Sequence, residues 1–199
     1  MSSRTFSKIQ SVKNLVEPVH LRHLCYNFSL TTRDLFQIDG LKFDLFSKDA
    51  QAMFELKSRL FPFRESNSRG KLQYAWFSPH TYQIEGYKKS CDQLGVGAYF
   101  IFMLGYISHR LSSYNPDKID HRMILARETF VLPWDVVKLS VTPDDKPQKA
   151  IGLKKILEHY EFTERSFGKL VKLDTGELVN RSRVYIAKTI EDKVGSYFI

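Results

Sequence analysis

The sequence predicts an α/β fold in which a central mixed β-sheet is flanked by helices. Three observations support this prediction: a helical apolar pattern over residues 11–26, an alternating pattern that begins at Leu41, and a nearly all-apolar run over residues 96–105. A strand that is apolar on both sides needs cover on both faces of its sheet. The order helix, hairpin, helix, buried strand therefore indicates a mixed sheet with helices packed against it.

The first predicted elements are a helix over residues 11–26 and a β-hairpin. Pro18 is expected to kink or restart the helix. Alternating apolar residues predict strands over residues 41–46 and 52–59, and the polar segment between them is short enough to join them as an antiparallel hairpin. Residues 60–76 are predicted to form a loop, because they are rich in polar and basic residues.

A second helix is predicted to begin at Ser78 and end at Gly95. Ser78 is a favourable N-cap, Pro79 suits the first helical position, and Gly95 is a typical C-terminal stop. The second half of the chain is less regular and is either a small subdomain or a continuation of the sheet. Its predicted elements are strands over residues 129–132, 136–141, 170–173 and 183–187, and a helix over residues 151–160.

Composition indicates one folded domain, or one core domain with an appended subdomain. The chain has 199 residues, of which 43% are hydrophobic, so it can bury a core and is not broadly disordered. It carries 30 Lys and Arg against 22 Asp and Glu, a net charge of +8 that favours nucleic acid but also suits an ordinary basic protein. We expect a soluble cytoplasmic protein without a membrane span, because the longest apolar run is short and Cys25 and Cys91 form no spaced motif.

The predicted hairpin presents two carboxylates and one ammonium group on the same face. Folding at its turn places Asp44 opposite Glu55, with Cβ atoms about 4.5–5.5 Å apart, and Lys57 follows two residues later on that face. Facing carboxylates repel unless a cation lies between them, and Mg²⁺ typically takes one or two carboxylates together with water and phosphate. The main-chain carbonyl of Leu56 is a further candidate ligand. The alternative is an ordinary solvated strand face.

The sequences GLKFD at residues 40–44 and FELK at residues 54–57 resemble the signature of the PD-(D/E)xK nuclease superfamily. This superfamily includes type II restriction enzymes, Holliday-junction resolvases and RecB-like nucleases, and the resemblance covers residues 11–106. It implies that Asp44 and Glu55 bind Mg²⁺ or Mn²⁺ and that Lys57 serves catalysis. No proline precedes Asp44, so the first half of the pattern is incomplete, and Asp39 is the alternative first acid.

Further site residues are predicted on the two helices and in basic segments. Gln83 and Tyr87 lie one helical turn apart, a spacing that RecB-like members use, although a surface position for Gln83 and a packing role for Tyr87 are the alternatives. Glu17 is a candidate additional metal ligand. Basic side chains predicted to contact DNA are Arg59, Arg64, Arg69, Lys71, Lys88, Lys89, Arg181 and Arg183.

The resemblance implies an endonuclease that hydrolyses phosphodiester bonds of double-stranded DNA with metal-activated water. We expect a site-specific, restriction-type enzyme that acts as a homodimer. Residues 1–106 would form the nuclease core, and residues 107–199 a part that recognises DNA or mediates dimerisation. The alternatives are a Holliday-junction resolvase, a RecB-like nuclease, and a catalytically silent DNA-binding module. His20 and His23 are spaced like metal ligands, but no second pair accompanies them, so zinc is not predicted.

Overall fold

The computed structural model describes residues 17–32, 43–62, 75–107, 124–167, 171–172, 178–179 and 181–199. The fold is α/β, as predicted from the sequence, with a seven-stranded mixed sheet flanked by helices. The strands are β1 Leu30–Thr32, β2 Leu45–Ser47, β3 Ala52–Pro62, β4 Trp76–Phe77, β5 Gly97–Ile107, β6 Ile124–Pro133, β7 Ile151–Gly152, β8 Phe162–Phe167, β9 Val171–Lys172, β10 Leu178–Val179 and β11 Arg181–Ala187. The helices are α1 over residues 17–27, α2 Thr81–Leu94, α3 Leu153–His159 and α4 Glu191–Val194.

The main sheet has the strand order β1-β2-β3-β5-β6-β11-β8. Strand β3 pairs parallel with β5 and β6 pairs parallel with β11, while the other neighbours are antiparallel. Strands from the second half of the chain therefore continue the sheet that begins in the first half. None of the helices in the described part of the chain has the length and apolar character needed to cross a bilayer.

A tight polar turn closes the β2–β3 hairpin at the predicted position. Ser47 Oγ donates to Asp49 Oδ1 at 2.6 Å and accepts from the backbone N–H groups of Gln51 and Ala52. Ala50 adopts φ 58°, a left-handed conformation that reverses the chain. The turn sets the register in which Leu45 stands opposite Phe54.

Each face of the sheet carries its own apolar layer. On the α2 face, Trp134 stacks on Phe100 at 4.1 Å between ring centroids, and Phe77 stacks on Phe102 at 4.0 Å. On the opposite α1 face, Phe198 lies 5.8 Å from Phe54. Strand β5 is buried on both sides, as its apolar run predicted.

The structure corrects several predicted boundaries. Helix α2 begins at Thr81 rather than next to Ser78, because the backbone around residues 79–81 pairs with residues 147–149: Lys149 N donates to Pro79 O and Thr81 N to Pro147 O. The predicted strand over residues 136–141 is wrong, since Trp134–Leu139 forms a 3-10 helix that turns the Trp134 ring into the core. Strand β8 and the short C-terminal helices were not predicted.

Candidate functional site

Asp44 directly precedes the first residue of β2, and its carboxylate lies against the edge of β3. Pairing between the two strands ends at Leu45 and Phe54, so Asp44 and Glu55 are the next residues in register. Asp44 Oδ2 accepts a 2.8 Å hydrogen bond from the backbone N–H of Leu56. The side chain thus takes the position that a strand carbonyl would otherwise occupy beside Leu56.

The carbonyl of Leu56 faces the same edge of β3. A strand residue directs its N–H and C=O groups to one side, and the N–H of Leu56 points to Asp44. The neighbouring residues Glu55 and Lys57 direct their backbone groups toward β5, with which β3 pairs along its whole length. Carboxylate and carbonyl oxygens therefore lie around one point of the β3 edge.

Glu55 and Lys57 form a short ion pair on the α2 face. Lys57 Nζ lies 2.5 Å from Glu55 Oε1, and the side chains are 16% and 3% exposed respectively. Lys57 Nζ also donates to Gln83 Oε1 at 3.3 Å. The Glu55 side chain is therefore almost fully buried, and the Lys57 side chain is the more exposed member of the pair.

Burial and the neighbouring Glu55 carboxylate both disfavour the ionised form of Asp44. Burial raises the pKa of Asp44 to about 7, with a further increase from the charge of Glu55, while the Leu56 N–H and the Lys57 ammonium oppose the shift. The charge of Glu17 adds a smaller increase to the same pKa, so the first described turn of α1 lies within electrostatic reach. The carboxyl of Asp44 is therefore much harder to ionise than that of an ordinary aspartate.

Helix α2 brings Gln83 and Tyr87 to this site. Gln83 is at the third position of a capping box in which its Oε1 accepts from the His80 backbone N–H at 3.4 Å. Burial, followed by the charges of Glu55 and Asp44, raises the pKa of Tyr87 to about 12, which keeps its hydroxyl neutral. The ring of Tyr87 also packs 4.5 Å from that of Phe43, so a packing role and a site position coexist.

The predicted DNA-contacting residues are more dispersed. Arg59 lies two residues beyond Lys57 on the α2 face and donates from Nε to Trp76 O at 2.7 Å. Lys88 pairs with Asp92 one turn along α2, Lys89 is exposed there, and Arg183 contacts Tyr185 and Glu164. Outside the described residues lie Asp39, Arg64, Arg69 and Lys71, and also the side chain of Arg181.

One residue that the sequence reasoning missed is His80, the N-cap of α2. The backbone N–H of His80 donates to Gln83 Oε1, and the same oxygen accepts from Lys57 Nζ. The signal was the spacing of a capping residue and a glutamine three positions later, a pattern usually recognised with Ser or Thr at the first position.

The oxygen atoms of this site suit Mg²⁺. Within the described ranges, no group of three or more His, Cys, Asp or Glu side chains is arranged to hold a metal. Asp44, Glu55 and the Leu56 carbonyl instead offer two carboxylates and one backbone oxygen, and Mg²⁺ commonly takes its remaining ligands from water and substrate phosphate. The absence of imidazole or thiolate from this set argues against zinc.

Comparisons with protein-family models, with curated proteins and with solved structures found no match to this chain.

Proposed function

We propose that this protein is a Mg²⁺-dependent nuclease that hydrolyses phosphodiester bonds of DNA at Asp44, Glu55 and Lys57. The observation that supports this most is convergence: two carboxylates and a lysine from the hairpin meet Gln83 from a separate helix. These are the residues to which the PD-(D/E)xK resemblance assigns metal binding and catalysis.

Burial argues against an ordinary charged strand face. Glu55 is only 2% exposed, whereas a solvated carboxylate would remain in water. One lysine compensates one carboxylate, and burial together with the charge of Glu55 raises the pKa of Asp44, which supports an uncompensated second negative charge. A divalent cation would supply the missing positive charge.

Each residue has a distinct role in the proposed reaction. Asp44, Glu55 and the Leu56 carbonyl would hold Mg²⁺, which would activate a water molecule and neutralise phosphate charge. Asp44 gives up its proton before it can act as a ligand, so metal binding should strengthen as pH rises through about 7. Lys57 can donate to a phosphate oxygen or orient the attacking water, because its partly exposed side chain ends beside the carboxylates.

Gln83 is a positioning residue in this account. Its Oε1 is one of two acceptors that orient the Lys57 ammonium group, and its own position is set by the His80 N–H.

The contact between Gln83 and Lys57 favours a RecB-like nuclease as the second candidate, since that group uses the Gln and Tyr spacing of α2. Site-specific cutting of duplex DNA by a homodimer is the first candidate, and a silent DNA-binding module is the alternative outside the enzymes.

The products of cleavage distinguish these candidates. We would incubate the purified protein with long mixed-sequence duplex DNA in Mg²⁺ or in EDTA, with four-way junctions and single strands in parallel. Discrete fragments that require Mg²⁺ support the restriction type, whereas a smear or loss from ends supports the RecB-like type, and cutting of junctions alone supports a resolvase. Binding of DNA without cleavage of any substrate would refute the nuclease proposal and support the silent module.

Variants of the ion pair assign the activity to this site. Glu55→Gln and Lys57→Ala should each abolish cleavage while the far-ultraviolet circular dichroism of the protein is unchanged. Lys154→Ala is the matched control, because Lys154 is an exposed lysine of α3 whose only described ion pair is with Glu158. Retention of cleavage in Lys57→Ala would assign the activity to another site or to a contaminant.

A further inference from the structure

A second polar cluster lies on the α1 face of the sheet, opposite the ion pair of Glu55. His20 Nδ1 is 3.0 Å from Ser58 Oγ of β3, and His23 Nε2 is 3.2 Å from Ser182 Oγ of β11. Arg127 of β6 stands directly opposite Ser182 in the β6–β11 ladder and therefore shares this face. Helix α1 covers the cluster.

Arg127 is a buried cation that has no acidic partner among the described residues. The residue is 8% exposed, and its Nε atom is sealed from solvent without a hydrogen-bond partner. Burial lowers the pKa of Arg127 to about 10, which still leaves the guanidinium charged at neutral pH. No ion pair among the described residues includes it, and a buried charge of this kind is costly unless an anion accompanies it.

Two neighbouring groups are also buried without partners. His20 is fully buried, and Thr129 lies two residues beyond Arg127 on the same face. Neither His20 Nε2 nor Thr129 Oγ1 has a hydrogen-bond partner in the described part of the chain. If Nδ1 of His20 accepts from the Ser58 hydroxyl, Nε2 carries the proton and becomes a buried donor. Guanidinium, imidazole and hydroxyl groups can thus all donate into one region.

The electrostatic field in this region is positive. Burial, and then the charge of Arg127, lowers the pKa of His20 to about 3 and that of His23 to about 4. The guanidinium therefore acts on both imidazoles. Both imidazoles are therefore uncharged at neutral pH, and a bound anion would compensate the guanidinium charge and provide an acceptor for the unpartnered donors.

We propose that Arg127, His20, Thr129 and the hydroxyl of Ser182 form a binding site for a phosphate-class oxyanion, while Ser58 holds the His20 tautomer whose Nε2 carries the proton. The donors come from one helix and two strands, which is more directions than the two coplanar oxygens of a carboxylate use. The arginine fork is suited to phosphate oxygens. The site shares no residue with the proposed nuclease centre, so it stands whether or not the chain cleaves DNA.

Inorganic phosphate is the first probe. Calorimetric titration in EDTA, at an ionic strength matched with chloride, should show one site in the parent protein. Arg127→Gln should weaken phosphate binding about tenfold or more, the usual effect of losing a charged hydrogen bond. Arg127→Lys keeps a cation but loses the fork, so we expect intermediate affinity. Arg22→Gln removes an exposed charge from helix α1, which covers the cluster, and should bind phosphate like the parent.

Two oligonucleotides then identify the source of the phosphate. They have one sequence, and only one of them carries a terminal phosphate. A preference for the phosphorylated form that Arg127→Gln abolishes assigns the site to nucleic-acid ends. If the parent binds both oligonucleotides equally but binds inorganic phosphate through Arg127, the site is assigned to free phosphate. The proposal is overturned if the parent shows no phosphate binding beyond that of chloride, or if folded Arg127→Gln binds phosphate as the parent does.

Discussion

Replacing Asp44 with asparagine should stabilise the metal-free protein, and increasingly so as pH rises. The asparagine side-chain oxygen can still accept from the Leu56 N–H, so the substitution removes the charge and keeps the hydrogen bond. Burial and the charge of Glu55 raise the pKa of Asp44 from 3.8 to about 7. That difference corresponds to about 4 kcal/mol between the protonated and ionised carboxyl in the folded protein.

The sign follows from proton binding. Between pH 3.8 and about 7 the folded state holds a proton on Asp44 that the unfolded chain has released. The contribution of this proton to stability is therefore complete at low pH and is lost as pH rises through the folded pKa. From about pH 5 to about pH 8, the free energy of unfolding of Asp44→Asn relative to the parent should increase by about 3 kcal/mol.

Urea unfolding in EDTA, followed by tryptophan fluorescence, measures this difference. Trp134 is buried against Phe100 and should report loss of the core. The depressed histidine pKa values give the parent an opposite trend at acid pH, but they are present in both proteins and cancel in the comparison. An equal effect of Asp44→Asn at both pH values would refute the raised pKa of Asp44 that burial and the charge of Glu55 produce.

Three further predictions concern the metal, the lysine and the buried histidine. Mg²⁺ at about pH 8 should raise the melting temperature of the parent but not that of Glu55→Gln, since only the parent offers both carboxylates; equal shifts would contradict the ligand assignment. Gln83→Ala should lower kcat for DNA cleavage about tenfold with KM unchanged, because Lys57 loses one of its two described acceptors; an unchanged kcat would remove Gln83 from the account. The folded pKa of His20, about 3 against an ordinary 6.5, means that protonation favours unfolding as pH falls. His20→Gln should therefore reduce the loss of unfolding free energy between about pH 7 and pH 5 by about 2 kcal/mol, and an unaltered pH slope would show that His20 is not buried in neutral form.

The hairpin could be predicted from the sequence because its determinants are local. An alternation of period two assigns Glu55 and Lys57 to one face, and the polar turn sets the register that brings Asp44 beside them. The C-terminal end of α2 was also predictable, since Gly95 adopts the left-handed conformation that ends a helix.

The remaining features depend on long-range order that the sequence does not reveal. Arg127 meets His20 only because β6 lies two strands away from β3 in the sheet. The start of α2 was misplaced because residues 147–149 pair with the segment that contains Pro79. The apolar residues around Val136 fit either a strand or a short helix, and burial of the Trp134 ring decides for the helix.

The most direct test of the central claim separates metal binding from catalysis at the hairpin. Mn²⁺ binding and Mg²⁺-dependent DNA cleavage would be measured on the same preparations of the parent, Glu55→Gln and Lys57→Ala. The account predicts that Glu55→Gln loses both properties, whereas Lys57→Ala binds Mn²⁺ and cleaves no DNA. Cleavage by Lys57→Ala at the rate of the parent, or a parent that binds no metal and cleaves no substrate, would contradict it.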